Sequence, residues 1–503
     1  MAALFRSISS LRSFRYLSTA AEGVSAAGPL LWSHTDVESC APSSIVQVLS
    51  WGRGSSGQLG GGKEEIRFYP SPVATLRLPS NFHLAPIQGC LPSQSSSDPD
   101  ANVEVGISCG LFHSALLVDG KFWIWGKGDG GRLGFGDEIS LFVPSLNPNL
   151  EDVRSIALGG IHSTALTRSG EVFTWGYGGF GALGHSVYHS ELLPRLVKAP
   201  WTEKISHLAT SGAHTAAITS SVLVIIIATL AFAVVLAFRV EDSNPCLLLY
   251  KQTFAFLITV IFCPFSSAFK MEPACELFTW GRDEGEGRLG LGSGGGPGEA
   301  GSLSIPSRVN ALPVPVAAVC CGGFFTMALT SDGHIWNWGA NSNCELGRGN
   351  NLSDWRPHLI PGIDEHQIVQ IAAGGYHSLA LTDTGKVLSW GYGGHSQLGH
   401  PSVQNQKVPL VIEALADEHV VQIACGGSSS AAITDKGKLY MWGNARDCQL
   451  GIPGLPEVQP VPVEVKFLME DEALGPHHAI SVAIGASHAM CLVLRQNSSI
   501  SKI

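Results

Sequence analysis

A strand-like segment ending in Trp-Gly recurs seven times along this chain, and it constrains the fold more than any other feature. The cleanest copy is Gly385-Lys386-Val387-Leu388-Ser389-Trp390-Gly391. The repeated tryptophans are Trp51, Trp125, Trp175, Trp280, Trp338, Trp390 and Trp442. Successive copies lie 74, 50, 105, 58, 52 and 52 residues apart. The repeat unit is therefore about 52 residues long, and two intervals contain insertions.

Each unit carries two further marks that define its strands. A Leu-Gly pair follows each tryptophan, at Leu59, Leu133, Leu183, Leu289, Leu346, Leu398 and Leu450. The stretch from Val369 to Thr382 predicts two strands joined at a glycine pair, followed by a turn at Thr384-Gly385. Lys407 to Val411 predicts a fourth short strand. Four strands in about 50 residues are typical of one β-propeller blade.

The two ends of the repeat region are complementary halves of a unit. Ser44 to Trp51 is a Trp-Gly strand with no glycine pair before it, and Ser481 to Leu494 is a front half with no Trp-Gly after it. Joining them in one blade removes the open sheet edge that a linear array would leave. We therefore predict an all-β fold over residues 44–494, a seven-bladed β-propeller closed by its N- and C-terminal strands in one blade.

With these seven coordinated copies, the chain resembles the regulator of chromosome condensation repeat family, and within it a plant-type mitochondrial member. The resemblance covers residues 44–494 apart from the insertions. It implies a propeller that contacts protein partners through the loops of one face. It fixes the fold better than the function, because propellers carry many unrelated activities.

Composition limits the classes of partner. The net charge is −10 and only 14% of residues are charged, which argues against a surface that neutralises many phosphates. We predict no direct nucleic-acid binding. The twelve cysteines include no C-x-x-C pair. Cys109, Cys321 and Cys425 occupy one equivalent repeat position, so we interpret them as small buried hydrophobic residues.

The N-terminal segment predicts an organellar address. Residues 1–21 contain Arg6, Arg12 and Arg15 and no acidic residue, and Leu4, Ile8 and Leu11 share one helical face. The segment resembles a mitochondrial presequence with cleavage after Leu17, which predicts a matrix location. A disordered basic tail and a chloroplast address are the alternatives. Residues 495–503 are interpreted as a polar tail.

The longest insertion interrupts a tight turn within a blade. Aligning Thr167–Glu171 with Thr219–Glu276 leaves 53 extra residues, 221–273, that are unrelated to the repeat. Val222 to Phe238 is a 17-residue run without a charge, which is at the short limit for a membrane span. We interpret the insertion as translated intron sequence, because removing it restores the blade. The alternative is a membrane hairpin, so a membrane partner is expected only if the segment is genuine. A shorter polar stretch, from Leu91 to Asp100, is interpreted as a solvated loop.

No motif predicts catalysis, a cofactor or a metal site. Three G-x-G-x-x-G matches begin at Gly52, Gly126 and Gly176, but each is followed by Leu-Gly and a strand rather than by the helix that a dinucleotide site needs. A histidine follows the glycine pair at His113, His162, His214, His377 and His488, with Phe325 and Ser429 in the other two units. One histidine per blade cannot form a compact ligand set. We predict that each is buried and hydrogen-bonded within its own blade.

The family resemblance implies three functions that can be compared. The ultraviolet-B photoreceptor carries tryptophan at the second position of a Gly-Trp-Arg-His-Thr motif. The corresponding residues here include no tryptophan and are Leu111, Gly160, Gly212, Gly323, Gly375, Gly427 and Ala486. Light sensing by that mechanism is therefore excluded. We predict a non-catalytic mitochondrial interaction scaffold in RNA processing, including splicing, or in respiratory complex assembly. The alternative is a guanine-nucleotide exchange factor for a small GTPase.

Overall fold

A computed structural model describes residues 29–33, 43–91, 103–220, 275–283, 287–292, 301–312, 315–363, 365–467 and 476–495. Over these residues, the strands form seven sheets arranged as the blades of a β-propeller. The predicted fold class is confirmed. The presequence at residues 1–21, the insertion 221–273 and most of the polar tail lie outside the described residues.

The blades are numbered in ring order, and their strands are as follows. Blade 1 contains β1 (Leu30–Ser33), β2 (Ser43–Gly54), β3 (Glu65–Pro79), β29 (His477–Ile484) and β30 (His488–Arg495). Blade 2 contains β4 (His83–Leu84), β5 (Glu104–Cys109), β6 (His113–Val118), β7 (Lys121–Gly126) and β8 (Leu141–Leu146). Blade 3 contains β9 (Val153–Leu158), β10 (His162–Thr167), β11 (Val172–Gly176) and β12 (Glu191–Leu196).

The remaining four blades follow the same order. Blade 4 contains β13 (Ile205–Thr210), β14 (His214–Thr219), β15 (Leu277–Arg282) and β16 (Ser302–Arg308). Blade 5 contains β17 (Val316–Cys321), β18 (Phe325–Thr330), β19 (Ile335–Gly339) and β20 (Asp354–Leu359). Blade 6 contains β21 (Ile368–Ala373), β22 (His377–Thr382), β23 (Val387–Gly391) and β24 (Gln406–Val411). Blade 7 contains β25 (Val420–Cys425), β26 (Ser429–Thr434), β27 (Leu439–Asn444) and β28 (Val458–Glu464).

Blade 1 closes the ring as predicted. Strand β2 pairs antiparallel with β30, from Ile45 opposite Arg495 to Gly52 opposite His488. Within the described part of the chain, blades 1 and 2 have five strands each, which corrects the prediction of four. The extra strands β1 and β4 pair parallel to β3 and β5, and both come from the segments that flank or link the repeats. The repeat pattern carried no signal for them.

The hydrophobic core lies between blades. The seven repeat tryptophans are fully buried. Trp390 of blade 6, for example, packs with Met327 and Leu329 of blade 5. Because the side chains of a strand stand out from both faces of its sheet, each blade buries one face against the preceding blade and one against the following blade.

One segment leaves this pattern and crosses the centre of the ring. Residues 83–91, called the crossing segment below, start as β4 beside β5 in blade 2. They continue to blade 6, where the Ile371 N–H donates to Gly89 O at 2.9 Å and the Leu91 N–H donates to Val369 O at 3.0 Å. On the way, the Gly89 N–H donates to His207 Nε2 of blade 4 at 3.2 Å. The predicted solvated loop starts at Leu91, the half-buried last residue of the crossing segment, and residues 92–100 lie outside the described residues.

The turn that carries the insertion has the geometry of an uninterrupted turn. The Thr219 N–H donates to Glu276 O at 3.0 Å, and the Glu276 N–H donates to Thr219 Oγ1 at 2.9 Å. The continuous turn between Thr382 and Lys386 has the same two bonds, each 3.0 Å long. The alignment made from the sequence therefore identified the residues at which the blade resumes. Among the described residues, no helix is long and apolar enough to cross a membrane.

Candidate functional site

The candidate site is a funnel at the centre of one face of the ring. This face, called the glycine face, carries the glycine-pair turns between the first and second strands and the loops that follow each Trp-Gly. The inner strands contact each other in sequence around the channel. They enclose a cavity of about 1380 Å³ whose floor is formed by Leu84 to Gln88 of the crossing segment. The funnel is therefore open on the glycine face and floored towards the other.

Two repeat positions that vary from blade to blade supply residues to the mouth of the funnel. They are the residue before the histidine position and the residue after each Trp-Gly, of which Arg53, Arg282, Tyr392 and Asn444 line the funnel. The residue after each Trp-Gly is fixed by its own backbone N–H, which donates to the carbonyl before the histidine position, as Arg53 does to Ser487 O at 2.8 Å and Tyr392 to Tyr376 O at 2.9 Å. The second variable position is the residue that supplies this carbonyl. The backbone is thus constant from blade to blade while these side chains differ, so the mouth can be specific without changing the fold.

Aromatic side chains form a continuous arc on the mouth over blades 5 and 6. The Phe324 and Tyr376 rings stack with centroids 5.2 Å apart, Tyr376 contacts Tyr392 edge-on at 6.4 Å, and Tyr392 contacts His395 at 5.6 Å. Tyr376 is 38% exposed. Such pairs add stability beyond the area that they bury. They present a preordered aromatic surface to solvent.

The funnel is positively charged although the chain as a whole is negative. Among the described residues, the charged side chains that line it are four arginines and one aspartate: Arg53, Arg282, Arg288, Arg446 and Asp447. Arg282 lies over the Phe180 ring at 4.3 Å and Arg288 over the Phe324 ring at 4.8 Å. Arg53 pairs with Asp447 at 3.2 Å and Arg446 with Glu457 at 2.8 Å. These last two pairs are partly exposed and therefore weak.

The repeat tryptophans, by contrast, join neighbouring blades rather than forming a site. Each indole N–H donates to the carbonyl that precedes the Leu-Gly pair of the previous blade, over 2.8–3.0 Å. In blade 3, the Trp175 N–H and the Ser163 hydroxyl both donate to Arg132 O of blade 2, at 2.9 and 2.7 Å. The glycine of Leu-Gly packs against the same indole, where a Cβ would crowd the ring.

The prediction that each repeat histidine is hydrogen-bonded within its own blade is wrong. His113 Nε2 of blade 2 lies 2.9 Å from Ser163 Oγ of blade 3, and His377 Nε2 of blade 6 lies 2.9 Å from Ser430 Oγ of blade 7. His162, His214 and His488 make the equivalent contact to the following blade. The reason is geometric: a side chain leaves the plane of its sheet, so the partner of each Nε2 belongs to the neighbouring sheet. His214 alone of the five also has a side-chain partner in its own blade, because Ser211 Oγ lies 3.0 Å from its Nδ1.

The hydrogen bonds fix the chemical form of these histidines. The Ser163 hydroxyl uses its single proton on Arg132 O, so its oxygen accepts from His113 Nε2–H. This bond places one proton on Nε2, and because burial disfavours a second proton on Nδ1, the ring is neutral. Burial lowers the pKa of His162 and His377 to about 3. The rings pack on the first glycine of the pair, where a Cβ would overlap them. In blade 4, Ser211 takes the place of that glycine, and its hydroxyl lies 3.0 Å from His214 Nδ1.

The predicted cysteine position lies on the wall of the channel. All three cysteines line the cavity. Cys321 is buried as predicted, whereas Cys109 and Cys425 are only half-buried, which corrects the prediction for these two. Burial raises the pKa of the Cys109 thiol to about 12, so this thiol is protonated and a poor nucleophile at neutral pH. Over the residues that the structure describes, no group of histidine, cysteine, aspartate or glutamate side chains is arranged to hold a metal ion. The funnel has the chemistry of a binding surface.

The repeat pattern does not identify the residues of this surface, because the residues that every unit shares build the contacts between blades. The signal that was available is the residue directly after each Trp-Gly, which changes from Arg53 to Lys127, Tyr177, Arg282, Ala340, Tyr392 and Asn444.

Comparison with known proteins identifies the class. The RCC1-like domain matches residues 121–491, and the Regulator of chromosome condensation (RCC1) repeat matches residues 47–117. The crystal structure of Prp20p from Saccharomyces cerevisiae superposes with a TM-score of 0.65 at 19% identity, covering 92% of this chain and 93% of that one. Fold and repeat together define an RCC1-type propeller.

Two curated plant proteins are similar over most of their length. The chain is 56% identical over 496 residues to the RCC1 domain-containing protein RUG3, mitochondrial, of Arabidopsis thaliana, which covers 96% of this chain and 98% of that protein. It is 28% identical to the Ultraviolet-B receptor UVR8 of the same plant, over 86% of this chain and 80% of the receptor. The chain belongs to the RCC1 repeat family, as the sequence analysis predicted.

Proposed function

We propose that this protein is a non-catalytic scaffold that binds protein partners through the glycine face, in mitochondrial RNA processing or in the assembly of a respiratory complex. The observation that carries the proposal is the funnel mouth, where arginine and aromatic side chains vary on a constant backbone. These residue types dominate the binding energy of protein interfaces. A closed ring of seven interlocked blades also provides the rigidity that a preorganised interface needs.

Two observations support the mitochondrial matrix as the compartment. Residues 1–21 have the composition of a presequence, and a relative with 56% identity carries the word mitochondrial in its name. Import of the radiolabelled full-length protein into isolated mitochondria tests this. We expect a shortened, protease-protected product that remains soluble after the outer membrane is ruptured, and no import when residues 1–21 are deleted.

The role in RNA processing or complex assembly is tested by partner recovery and complementation. A tagged protein should recover splicing or assembly factors from mitochondria, and its loss should reduce the level of specific mature transcripts or of an assembled respiratory complex. The paired variant Arg53→Glu with Arg446→Glu should be imported normally but should recover fewer of these factors. Normal transcripts and normal complexes in plants that lack the protein would refute this role.

Guanine-nucleotide exchange is the alternative, and it rests on the family resemblance. An exchange factor acts by opening the nucleotide site of a GTPase rather than by chemistry of its own. A nucleotide-release assay with mitochondrial GTPases therefore separates the two functions. The scaffold proposal expects no acceleration of release, whereas acceleration that depends on the glycine face would support exchange.

A further inference from the structure

Resting on the proposed scaffold function, we propose that the funnel binds an extended, acidic peptide segment of a partner protein. The partner would insert this segment into the centre of the ring while the aromatic arc contacts the surface around it. Four observations support this occupant: the size of the funnel, the edges of its inner strands, the small residues of its wall and its charged side chains.

The funnel is larger than a small-molecule site. Its volume of about 1380 Å³ exceeds the roughly 300–1,000 Å³ of typical ligand pockets. The crossing segment spans it from β5 to β21. A ligand that enters from the glycine face meets this segment, so a chain end or a hairpin fits better than a strand threaded through the ring.

The inner strands already accept an extended chain. The crossing segment pairs with β5 through Leu84 and with β21 through Gly89 and Leu91. These contacts use the channel-facing edges of the first strands of two blades. Adding a strand to such an edge is a common mode of peptide recognition, in which backbone hydrogen bonds supply affinity and side-chain pockets supply specificity. The crossing segment is thus an internal example of the binding mode that we propose for the glycine-face half of the channel.

Small residues leave space at the glycine-face end of the channel, where the peptide of the partner would bind. The wall positions on the glycine side are mostly glycine, including Gly212, Gly323 and Gly427. A Cβ added at Gly212 would meet no atom within 4 Å, whereas a Cβ at Gly323 would meet Gly375 O at 2.5 Å and one at Gly427 would meet Ala486 Cα at 3.6 Å. None of these three residues has a positive φ. The glycine at 212 is therefore not required by its own backbone, which is consistent with a requirement for open space.

Charge selects an acidic segment. The charged side chains that line the described funnel are four arginines and one aspartate, which is an excess of basic groups, in a chain whose net charge is −10. Arginine binds carboxylates through paired N–H groups. The exposed ion pairs of Arg53 with Asp447 and of Arg446 with Glu457 are weak enough to exchange for ligand carboxylates.

A peptide explains the funnel better than RNA does. Tight RNA binding requires many phosphate contacts on an extended basic surface. Among the described residues that line the funnel there is no lysine, and of the four arginines Arg288 is only 2% exposed and donates to Gly323 O. RNA binding is therefore an outcome that the experiment must be able to detect rather than the expected one.

Fluorescence anisotropy of the purified full chain with labelled probes tests the inference. The first probe is a ten-residue peptide with four glutamates among apolar residues, the second has lysine at those four positions, and the third is an oligouridine of the same length. We expect micromolar binding of the glutamate peptide only, weakening as salt is raised. Binding of all three probes, of the lysine peptide, or of oligouridine alone would overturn the inference.

Two variants locate the binding in the funnel. Arg53→Glu with Arg446→Glu should weaken binding of the glutamate peptide by at least about tenfold, since it reverses two charges at the mouth. The matched control is Arg356→Glu, because Arg356 is exposed on the outer strand β20 of blade 5. Equal binding by the funnel variant and the control variant would overturn the inference.

The second variant is steric and leaves the charge unchanged. Gly212→Leu should also weaken binding by about tenfold while the melting temperature stays unchanged, because the equivalent position of blade 2 is naturally Leu111. Unchanged peptide affinity in a correctly folded Gly212→Leu protein would contradict the funnel as the site.

The same variants separate this inference from the proposed function. If the wild-type protein binds no acidic peptide but restores mitochondrial transcripts or complexes in a mutant plant, the inference fails and the scaffold proposal stands. If it binds the peptide and the charge-reversed variant restores the plant fully, the site exists but the scaffold function does not depend on it, and the two proposals are uncoupled. Loss of peptide binding together with loss of restoration supports both.

Discussion

Acidification should destabilise this propeller strongly, because its repeat histidines are buried as neutral rings between blades. Burial lowers the pKa of His162 and His377 to about 3 and that of His488 to about 4. Burial also holds the pKa of His113 and His214 well below the usual value. All five rings are fully buried. The perturbation is therefore a fall in pH from about 7.5 to about 5.

The sign follows from proton binding by the two states. An unfolded histidine has a pKa near 6.5, so below that pH the unfolded chain binds protons that the native state excludes. Stability is fully present above about pH 6.5 and is lost as the pH falls towards the folded pKa. A pH of 5 lies about 1.5 units below the pKa of an unfolded histidine, so each buried neutral ring lowers the free energy of unfolding by about 2 kcal/mol. Five rings cost about 10 kcal/mol, which is comparable with the whole stability of many domains.

Urea unfolding at the two pH values measures this loss, and one variant isolates a single ring. His377→Phe is the natural substitution of blade 5, where Phe325 occupies the equivalent position and is fully buried. Between the two pH values, the free energy of unfolding of this variant should fall by about 2 kcal/mol less than that of the wild type, because the substitution removes one proton-binding group from the unfolded state. Phe325→Leu is the control, since it disturbs the packing but removes no titrating group.

Two results would refute this reasoning. The first is a free energy of unfolding of the wild-type protein that is equal at both pH values. The second is an equal pH-dependent loss in His377→Phe and in the wild type. Phe325→Leu should lower the stability by the same amount at both pH values.

Three further perturbations test the crossing segment, the blade contacts and the insertion. Gly89→Ala should lower the free energy of unfolding by about 2–4 kcal/mol, because the φ of Gly89 is +73° and the new Cβ would overlap a carbonyl of blade 6. The control Gly454→Ala should lower it by only about 1 kcal/mol, because Gly454 has a similar φ of +78° but open space around it. Equal losses in urea unfolding would contradict the contact across the channel. Trp390→Phe should lower the free energy of unfolding by about 1–3 kcal/mol, because it removes a buried N–H donor and ring volume. The control Trp355→Phe should lower it by less than about 0.5 kcal/mol, because Trp355 is 48% exposed. Replacing residues 220–275 with Asp-Thr-Gly should give a folded protein that melts no lower than the full chain, and an unfolded product would support a structural role for the insertion.

The translated-intron interpretation of residues 221–273 is tested on the natural material. Sequencing of the transcript across the codons of Ser220 and Glu276 should show a dominant short product, and mass spectrometry of mitochondria should find no peptide from the segment. Insert peptides in the membrane fraction would instead support the membrane hairpin.

Local and repeated information was sufficient to predict the architecture. Each blade is a set of sequence-adjacent strands, so its strands, turns and Trp-Gly ends can be read within about 50 residues. Seven copies average out the ambiguity of any one of them. The closure in blade 1 followed because a half unit stands at each end, as the pairing of β2 with β30 shows. The alignment across the insertion succeeded for the same reason, since Thr219 and Glu276 have fixed places in the turn.

The contacts between blades were decided only by the tertiary structure. The partners of Trp51 and His488 lie 398 and 374 residues away in the chain, at Gln449 O and Ser114 Oγ. A repeat pattern shows which residues are shared by the units, but not which neighbouring unit each side chain faces. That direction depends on how the sheets stack around the ring, which is why the histidine prediction placed the bond in the wrong blade.

The crossing segment and the funnel lay further beyond the sequence pattern. His83 to Leu91 belong to no repeat, and their place in the channel is set by backbone hydrogen bonds, which any sequence can make. The funnel mouth is assembled from single variable residues, one blade at a time, that are adjacent only once the ring has closed. The sequence by itself therefore determined the blade and the number of blades. The tertiary structure decided what the centre of the ring contains, because that depends on pairing between residues that the chain keeps far apart.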